Sequence, residues 1–297
     1  MIVVTGAAGF IAGNFCKKLN LHGFKNIILI DDFTPENKQI NWENVEYVDK
    51  IQRDVFFRWA EQNVQHIDFI FHLGARTDYF STDSDIFEAL NVDYSQRVWS
   101  FATYYRIPLI YATSYLTNAP QPHSLYTKSK ICFDQWIEKQ QQTPPFWAGL
   151  KFFQVYGNNE AHKAENASNV YKMCRNFSEN ESIIRVEKNI FQDYIYVNDV
   201  VKVLYYFLNH ASQSGIYEVG TGFARPLKVI LDAIHKVAKT KQKMQLEYQK
   251  EESFVYQANL ESLRKYAYKQ PFLSLEQGVR RTGIFLFSPQ LLTQKRR

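Results

Sequence analysis

The sequence predicts an α/β fold, a doubly wound parallel sheet with a smaller C-terminal substrate-binding lobe. Three observations carry that expectation. Short apolar runs alternate with amphipathic stretches through the first half. A glycine cluster joins the first run to the first amphipathic stretch. The pattern then becomes irregular in the second half. Strand–helix alternation calls for crossover helices on both faces of a parallel sheet, and near-continuous apolar strands fit burial on both sides.

The runs can be placed in order. Ile2-Val3-Val4 reads as a strand, and Gly9 to Leu21 as a helix with Phe10, Ile11, Phe15 and Leu19 on one face. Asn26 to Ile30, Asp68 to His72 and Leu109 to Thr113 read as further strands, and Asn91 to Tyr105 as a helix. Beyond Gln140 to Pro145, the best loop signal, Trp147 to Val155 reads as a strand and Ser168 to Phe177 as a helix. A strand at Asp193 to Val197, a helix at Val200 to Leu208 and a strand at Gly215 to Gly220 follow. Two helices and a strand are expected from Leu227 on.

Composition narrows the function classes. Charged residues are 22% of 297, which argues against disorder and against a coiled coil. The 16% aromatic content is read as a large aromatic core. A net charge of +5, with scattered basic residues, suits an anionic small molecule and shows no basic stripe for nucleic acid. Cys16, Cys132 and Cys174 are far apart and odd in number, so neither a disulfide framework nor a metal site is expected. No apolar run reaches spanning length and the first residues read as a strand, so a cytoplasmic protein without membrane insertion is expected. A homo-oligomer is left open.

Thr5-Gly6-Ala7-Ala8-Gly9-Phe10-Ile11-Ala12 lies between the first strand and the first helix, with G-x-x-G-x-x-A spacing. The first glycine permits the turn, the second lets backbone approach a pyrophosphate, and a small third residue allows helix–strand packing. The helix start offers free N–H groups to phosphate. Asp31 ends the next strand, where a ribose ligand belongs, and Asp32 follows it. This is a Rossmann-type dinucleotide site. Lys38 and Arg53 stand in the next loops, where each can meet a 2′-phosphate or remain a solvated surface cation.

Tyr126 and Lys130 are four apart and share a helix face. An ammonium beside a phenol favours phenolate, and a phenol of near-neutral pKa can take a proton from a sugar alcohol. Ser114 ends a strand, at the side of the sheet where ligands bind, and can hold the substrate oxygen.

These segments, with Ile70 to Ala75, Tyr111 to Ser114 and Phe153 to Gly157, resemble the extended short-chain dehydrogenase/reductases from Met1 to about Gly278. Within them, Val155 to Lys163 followed by Ala167-Ser168 is most similar to the ADP-glycero-manno-heptose 6-epimerases, because general sugar epimerases share Val-Tyr-Gly but not a His-Lys pair here. The resemblance implies an isomerase that oxidises C6 of a nucleotide-activated heptose transiently and returns hydride to the opposite face. Tyr126 and Lys163 would serve the two faces, and Ser114, Gln154, His162, Lys163 and Gln192 would touch the substrate. NADP is the implied cofactor, with NAD usable through Asp31. It would be held by Gly6, Gly9, Phe10, Ile11, Asp31, Asp32, Lys38, Arg53, Asn91, Tyr126 and Lys130. Asn91 also has a plain reading as a helix N-cap.

Residues 1–157 are expected to form the NAD(P)-binding domain, with 190–222 returning to it. Residues 158–189 and 223–297 are expected to form the substrate lobe. Several positions depart from the family pattern. Gln154 replaces an asparagine, Gln192 replaces an arginine, Arg53 replaces a lysine, and the Ser114–Tyr126 loop is short, with Asn118-Ala119 in place of Tyr-Gly. The chain from Thr282 on is unlike the family's closing helix. Two alternatives stand beside the leading reading. One is another nucleotide-sugar 4-epimerase, dehydratase or reductase, although the Asp-Glu pair of a dehydratase is missing after Ser114. The other is a degenerate member that binds dinucleotide without turnover.

Overall fold

The computed structural model describes residues 1–118, 124–178, 183–238 and 245–287. The chain divides into two compact units, Met1–Phe152 with Val201–Glu218, and Phe153–Val200 with Val219–Arg297.

In the first unit the strands are β1 (Ile2–Thr5), β2 (Ile27–Asp31), β3 (Asp49–Gln52), β4 (Phe69–His72), β5 (Leu109–Ser114) and β6 (Trp147–Phe152). The helices are α1 (Phe10–Leu21), α2 (Gln39–Trp42), α3 (Phe56–Asn63), α4 (Ser84–Phe87), α5 (Tyr94–Tyr104) and α6 (Leu125–Glu138). Among the described residues they build one sheet of order β3-β2-β1-β4-β5-β6, with the strand Gly215–Val219 beside β6. The pairings from β3 to β6 are parallel. The order reverses between β1 and β4, so the ligand crevice of such a sheet opens beyond the carboxyl ends of these two strands. The core is aromatic, as expected. Phe56, Tyr94, Trp99, Phe101, Tyr111 and Phe133 pack with Val3, Ile28 and Ile70.

In the second unit the short strand Gln154–Tyr156 pairs with the long strand Ile183–Tyr196. Ala224–Pro226 lies antiparallel to that long strand, and Gln245–Tyr256 lies parallel to it. Helices Asn169–Ser178, Leu227–Ala238 and Leu275–Phe287 cover a core of Tyr156, Val170, Met173, Tyr194, Ile230, Ile234 and Val279.

Several expectations are corrected. The strand read as Trp147 to Val155 breaks at Phe153, whose N–H bonds the Val219 carbonyl, and its two halves pair with different partners. Residues 153–157, 190–200 and 219–222 belong to the second unit, because the strand through Asp193 pairs with Gln154–Tyr156, Ala224–Pro226 and Gln245–Tyr256 there. Asn91 does not open a helix. The helix starts at Ser84, capped by the Asp83 carboxylate, and Asn91 lies inside a π-turn over Glu88–Asp93. β3 carries no apolar run, since it is an exposed edge strand paired only with β2. The final helix runs through Thr282, whose hydroxyl bonds the Gly278 carbonyl.

Candidate active site

The glycine loop has little freedom. Gly6 has φ +70°, and a Cβ there would stand 2.4 Å from Gly74 Cα. Gly74, in the loop after β4, in turn sits against the Gly6 backbone. A side chain on Gly9 would meet the Gly6 carbonyl at 2.9 Å. Gly9 caps α1 without a side chain, and Phe10 and Ile11 form its first turn. The sequence thus presents bare backbone at a helix N-terminus, a cradle that fits a pyrophosphate. Among the described residues, no cluster of three His, Cys, Asp or Glu side chains could hold a metal.

Asp31, at the carboxyl end of β2, accepts the Ala8 N–H at 2.9 Å and the Asp32 N–H at 2.7 Å. Lys38 Nζ lies 3.4 Å from the same carboxylate. Burial pushes the Asp31 pKa up, and Lys38 opposes that push. Asp32 is half-buried and is held low chiefly by the Thr34 hydroxyl and N–H, with smaller help from Arg53 and Lys38. Both cations therefore act on the β2 terminus, while Arg53 Nε also meets Asp54 at 3.3 Å.

The Ser114–Tyr126–Lys130 set assembles at the end of β5. Ser124 caps α6 by accepting the Thr127 N–H at 3.1 Å, which fixes the helix that carries Tyr126. Tyr126, Lys130 and Asp134 follow one another at helical spacing on one buried face. The Ser114 hydroxyl hydrogen-bonds the Tyr126 phenol. Lys130 Nζ donates to the Ala112 carbonyl at 2.9 Å.

The electrostatics differ from expectation. Burial pushes Tyr126 up to about 12; the Ser114 hydrogen bond opposes this, and the Asp134 charge adds to it. Burial likewise pulls Lys130 down to about 8 against the pull of Asp134. Desolvation dominates both groups, and the Lys130 amine is directed to the Ala112 carbonyl, so the expected depression of the phenol is absent. Asp134, which accepts from Thr113 Oγ1 at 2.8 Å, was not singled out in the sequence, although its i+4 spacing from Lys130 is a visible signal.

Asn91 is fully buried. Its carbonyl oxygen accepts the Arg76 N–H at 2.7 Å, and its amide nitrogen donates to Arg76 O and Ser129 Oγ, both at 2.9 Å. Both amide hydrogens are thereby used inside the protein. The π-turn aims Asn91 inward as a clamp between the β4 loop and α6. Tyr79, in that same loop, is a residue the sequence reading missed. Its ring centroid lies 5.2 Å from that of Tyr126 at 73°.

The remaining expected residues belong to the second unit. Gln154 pairs in register with Tyr194. Gln192 is buried and accepts from the Tyr194 hydroxyl at 3.1 Å and from Asn169 Nδ2 at 3.4 Å. His162 and Lys163 lie on a short turn, Ala161–Asn166, kinked at Ala164 with φ 46°. That turn hangs on Glu160. The buried Glu160 carboxylate accepts the N–H groups of Gly157 at 2.8 Å and Ser168 at 2.7 Å, and it lies 3.9 Å from Lys163 Nζ. The family's Tyr-Gly positions fall partly on Ala119, outside the described residues.

Among the described residues, no helix is long and apolar enough to cross a membrane. The chain is 32% identical to the ADP-L-glycero-D-manno-heptose-6-epimerase of Fusobacterium nucleatum subsp. nucleatum, over 94% of this chain and 96% of that one. It superimposes on the crystal structure of the Helicobacter pylori ADP-L-glycero-D-manno-heptose-6-epimerase with a TM-score of 0.81 at 22% identity, covering 96% of this chain and 95% of that one. The UDP-N-acetylglucosamine 4-epimerase of Methanobrevibacter ruminantium M1 superimposes with a TM-score of 0.84 at 20% identity, covering 97% and 98%. Residues 2–220 match a family described as NAD dependent epimerase/dehydratase. With a cradle for a dinucleotide and a Ser-Tyr-Lys set on one sheet, the chain belongs to the NAD dependent epimerase/dehydratase family.

Proposed function

We propose that the protein is a nucleotide-sugar epimerase that converts ADP-D-glycero-D-manno-heptose to ADP-L-glycero-D-manno-heptose, with NADP at the glycine loop. The observation that carries this reading is the Ser114–Tyr126–Lys130 set on the unit that also holds the Gly6–Gly9 cradle. The identity to a heptose epimerase over nearly the whole chain supports the choice of sugar.

The bound dinucleotide supplies reversible acceptance of a hydride from C6. Ser114 holds the C6 oxygen, and Tyr126 removes its proton and returns it. Lys130, when charged, favours the phenolate. Lys163 handles the proton when the sugar presents its opposite face, a role assigned by resemblance. Asp31 takes a ribose hydroxyl, and Lys38 and Arg53 take the 2′-phosphate that distinguishes NADP. Gln154, His162 and Gln192 hold the activated sugar.

The test is mass spectrometry of the small molecule released on denaturation, joined to an assay that separates the two C6 epimers of ADP-heptose. Released NADP and interconversion of the epimers support the reading. Stable binding of dinucleotide with no interconversion supports the non-catalytic alternative.

A further inference from the structure

The loop between β4 and α4 is braced on both sides of Tyr79. At its start, Gly74 N–H donates to Thr5 Oγ1 at 3.3 Å, and Asn91 grips both backbone groups of Arg76. Arg76 Nη2 meets one oxygen of Asp78 at 3.0 Å, and the other oxygen accepts the Phe80 N–H at 3.1 Å. At its end, Asp83 caps α4. Tyr79 therefore sits at the apex of a bend closed by its own neighbours.

The same asparagine fixes Tyr126. Asn91 Nδ2 donates to Ser129 Oγ at 2.9 Å, and Ser129 Oγ donates to the Tyr126 carbonyl at 2.8 Å. One buried amide thus sets the loop of Tyr79 and the helix of Tyr126 in a common frame. The two rings meet nearly at right angles, 5.2 Å between centroids, a favourable geometry for aromatic quadrupoles. The Tyr79 hydroxyl lies in the field of Tyr126 and Tyr115, and desolvation holds it protonated. Yet Tyr79 keeps 41% of its surface open and Phe80 keeps 71%. An aromatic residue left partly exposed beside the acid/base phenol, and held by a hydrogen-bond chain, is a preformed apolar surface next to a polar reaction site.

We propose that Tyr79 is a specificity-determining residue whose ring is the platform on which the sugar of the nucleotide-sugar rests beside Tyr126. The C–H face of a sugar packs on an aromatic ring, while its hydroxyls remain available to Ser114 and Tyr126. The braced loop loses little freedom when the sugar arrives, so the contact is made at low entropic cost. This platform rests on the epimerase reading above.

The experiment measures dissociation constants of ADP-heptose and of plain ADP for the NADP-loaded wild type, Tyr79→Ala and Tyr79→Phe, with thermal melting to show that each variant is folded. Tyr79→Ala should weaken ADP-heptose roughly tenfold and leave ADP within about twofold, because ADP lacks the sugar. Tyr79→Phe should restore the affinity, since the ring alone makes the platform. Equal affinities of wild type and Tyr79→Ala for ADP-heptose, or equal losses for ADP-heptose and ADP, would overturn the platform while leaving the epimerase reading intact. A wild type that binds ADP-heptose no better than ADP would overturn the epimerase reading and the platform with it.

Discussion

The amine of Lys130 donates to the backbone carbonyl of Ala112 at 2.9 Å, in a setting where burial pulls its pKa from 10.5 to about 8. The carbonyl and Asp134 support the charge, but desolvation exceeds both. The folded state therefore carries a penalty below about pH 8 that disappears as the pH rises toward 10.5. Over that window the unfolded chain binds the proton more tightly, so stability rises with pH. The shift corresponds to about 3 kcal/mol. Lys130→Met removes the titrating group. Its stability advantage over wild type, measured by denaturant unfolding, should shrink by about that amount between pH 7.5 and 10.5. A difference that stays constant across this range would contradict the buried ammonium.

Tyr126→Phe should lower turnover by 10² or more, on the order expected when a general acid/base is removed. The ring and its contact with Tyr79 remain, so thermal stability should change little. Wild-type turnover in a folded Tyr126→Phe protein would remove the residue from the mechanism.

Lys38 and Arg53 both act on the carboxyl end of β2, Lys38 directly on Asp31. In the double variant Lys38→Ala, Arg53→Ala, NADP should bind more weakly by roughly 1–3 kcal/mol per contact, with NAD much less affected. Titration of both cofactors checks this. Equal losses would mean that the pair does not read the 2′-phosphate.

What the sequence disclosed follows from range. Gly6, Gly9 and Asp31 are legible because a strand, a turn and a helix impose fixed spacing along the chain, and Tyr126 and Lys130 are legible because four residues make a helical neighbour. The Asn91 clamp is not, since it joins Arg76 and Ser129, 15 and 38 residues away, through a π-turn that periodicity does not signal. Tyr79 meets Tyr126 across 47 positions for the same reason. Ile183–Tyr196 is legible only at its end, Asp193 to Val197, and Gln245–Tyr256 only as an unplaced strand after Leu227, because charges at Arg185, Glu187, Lys188 and Lys250 to Glu252 interrupt any apolar run. The upward push on the Tyr126 phenol was missed because spacing says nothing about desolvation.

Lys163 is held near the buried Glu160 on a turn strained at Ala164. Lys163→Ala should lower kcat in both directions of epimerisation if the amine moves a proton. It should mainly raise KM if the amine only neutralises a substrate phosphate. Kinetics from each C6 epimer decide between the two, and an unchanged kcat in both directions would remove Lys163 from proton transfer.

The central claim is that the C6 configuration is inverted through a hydride that leaves and returns without meeting solvent. The most direct measurement is NMR of the reaction run in D₂O, started separately from each ADP-heptose epimer. Both starting materials should reach the same epimer mixture, with hydrogen retained at C6 and no net consumption of cofactor. Deuterium at C6, or no interconversion from either side, would contradict it.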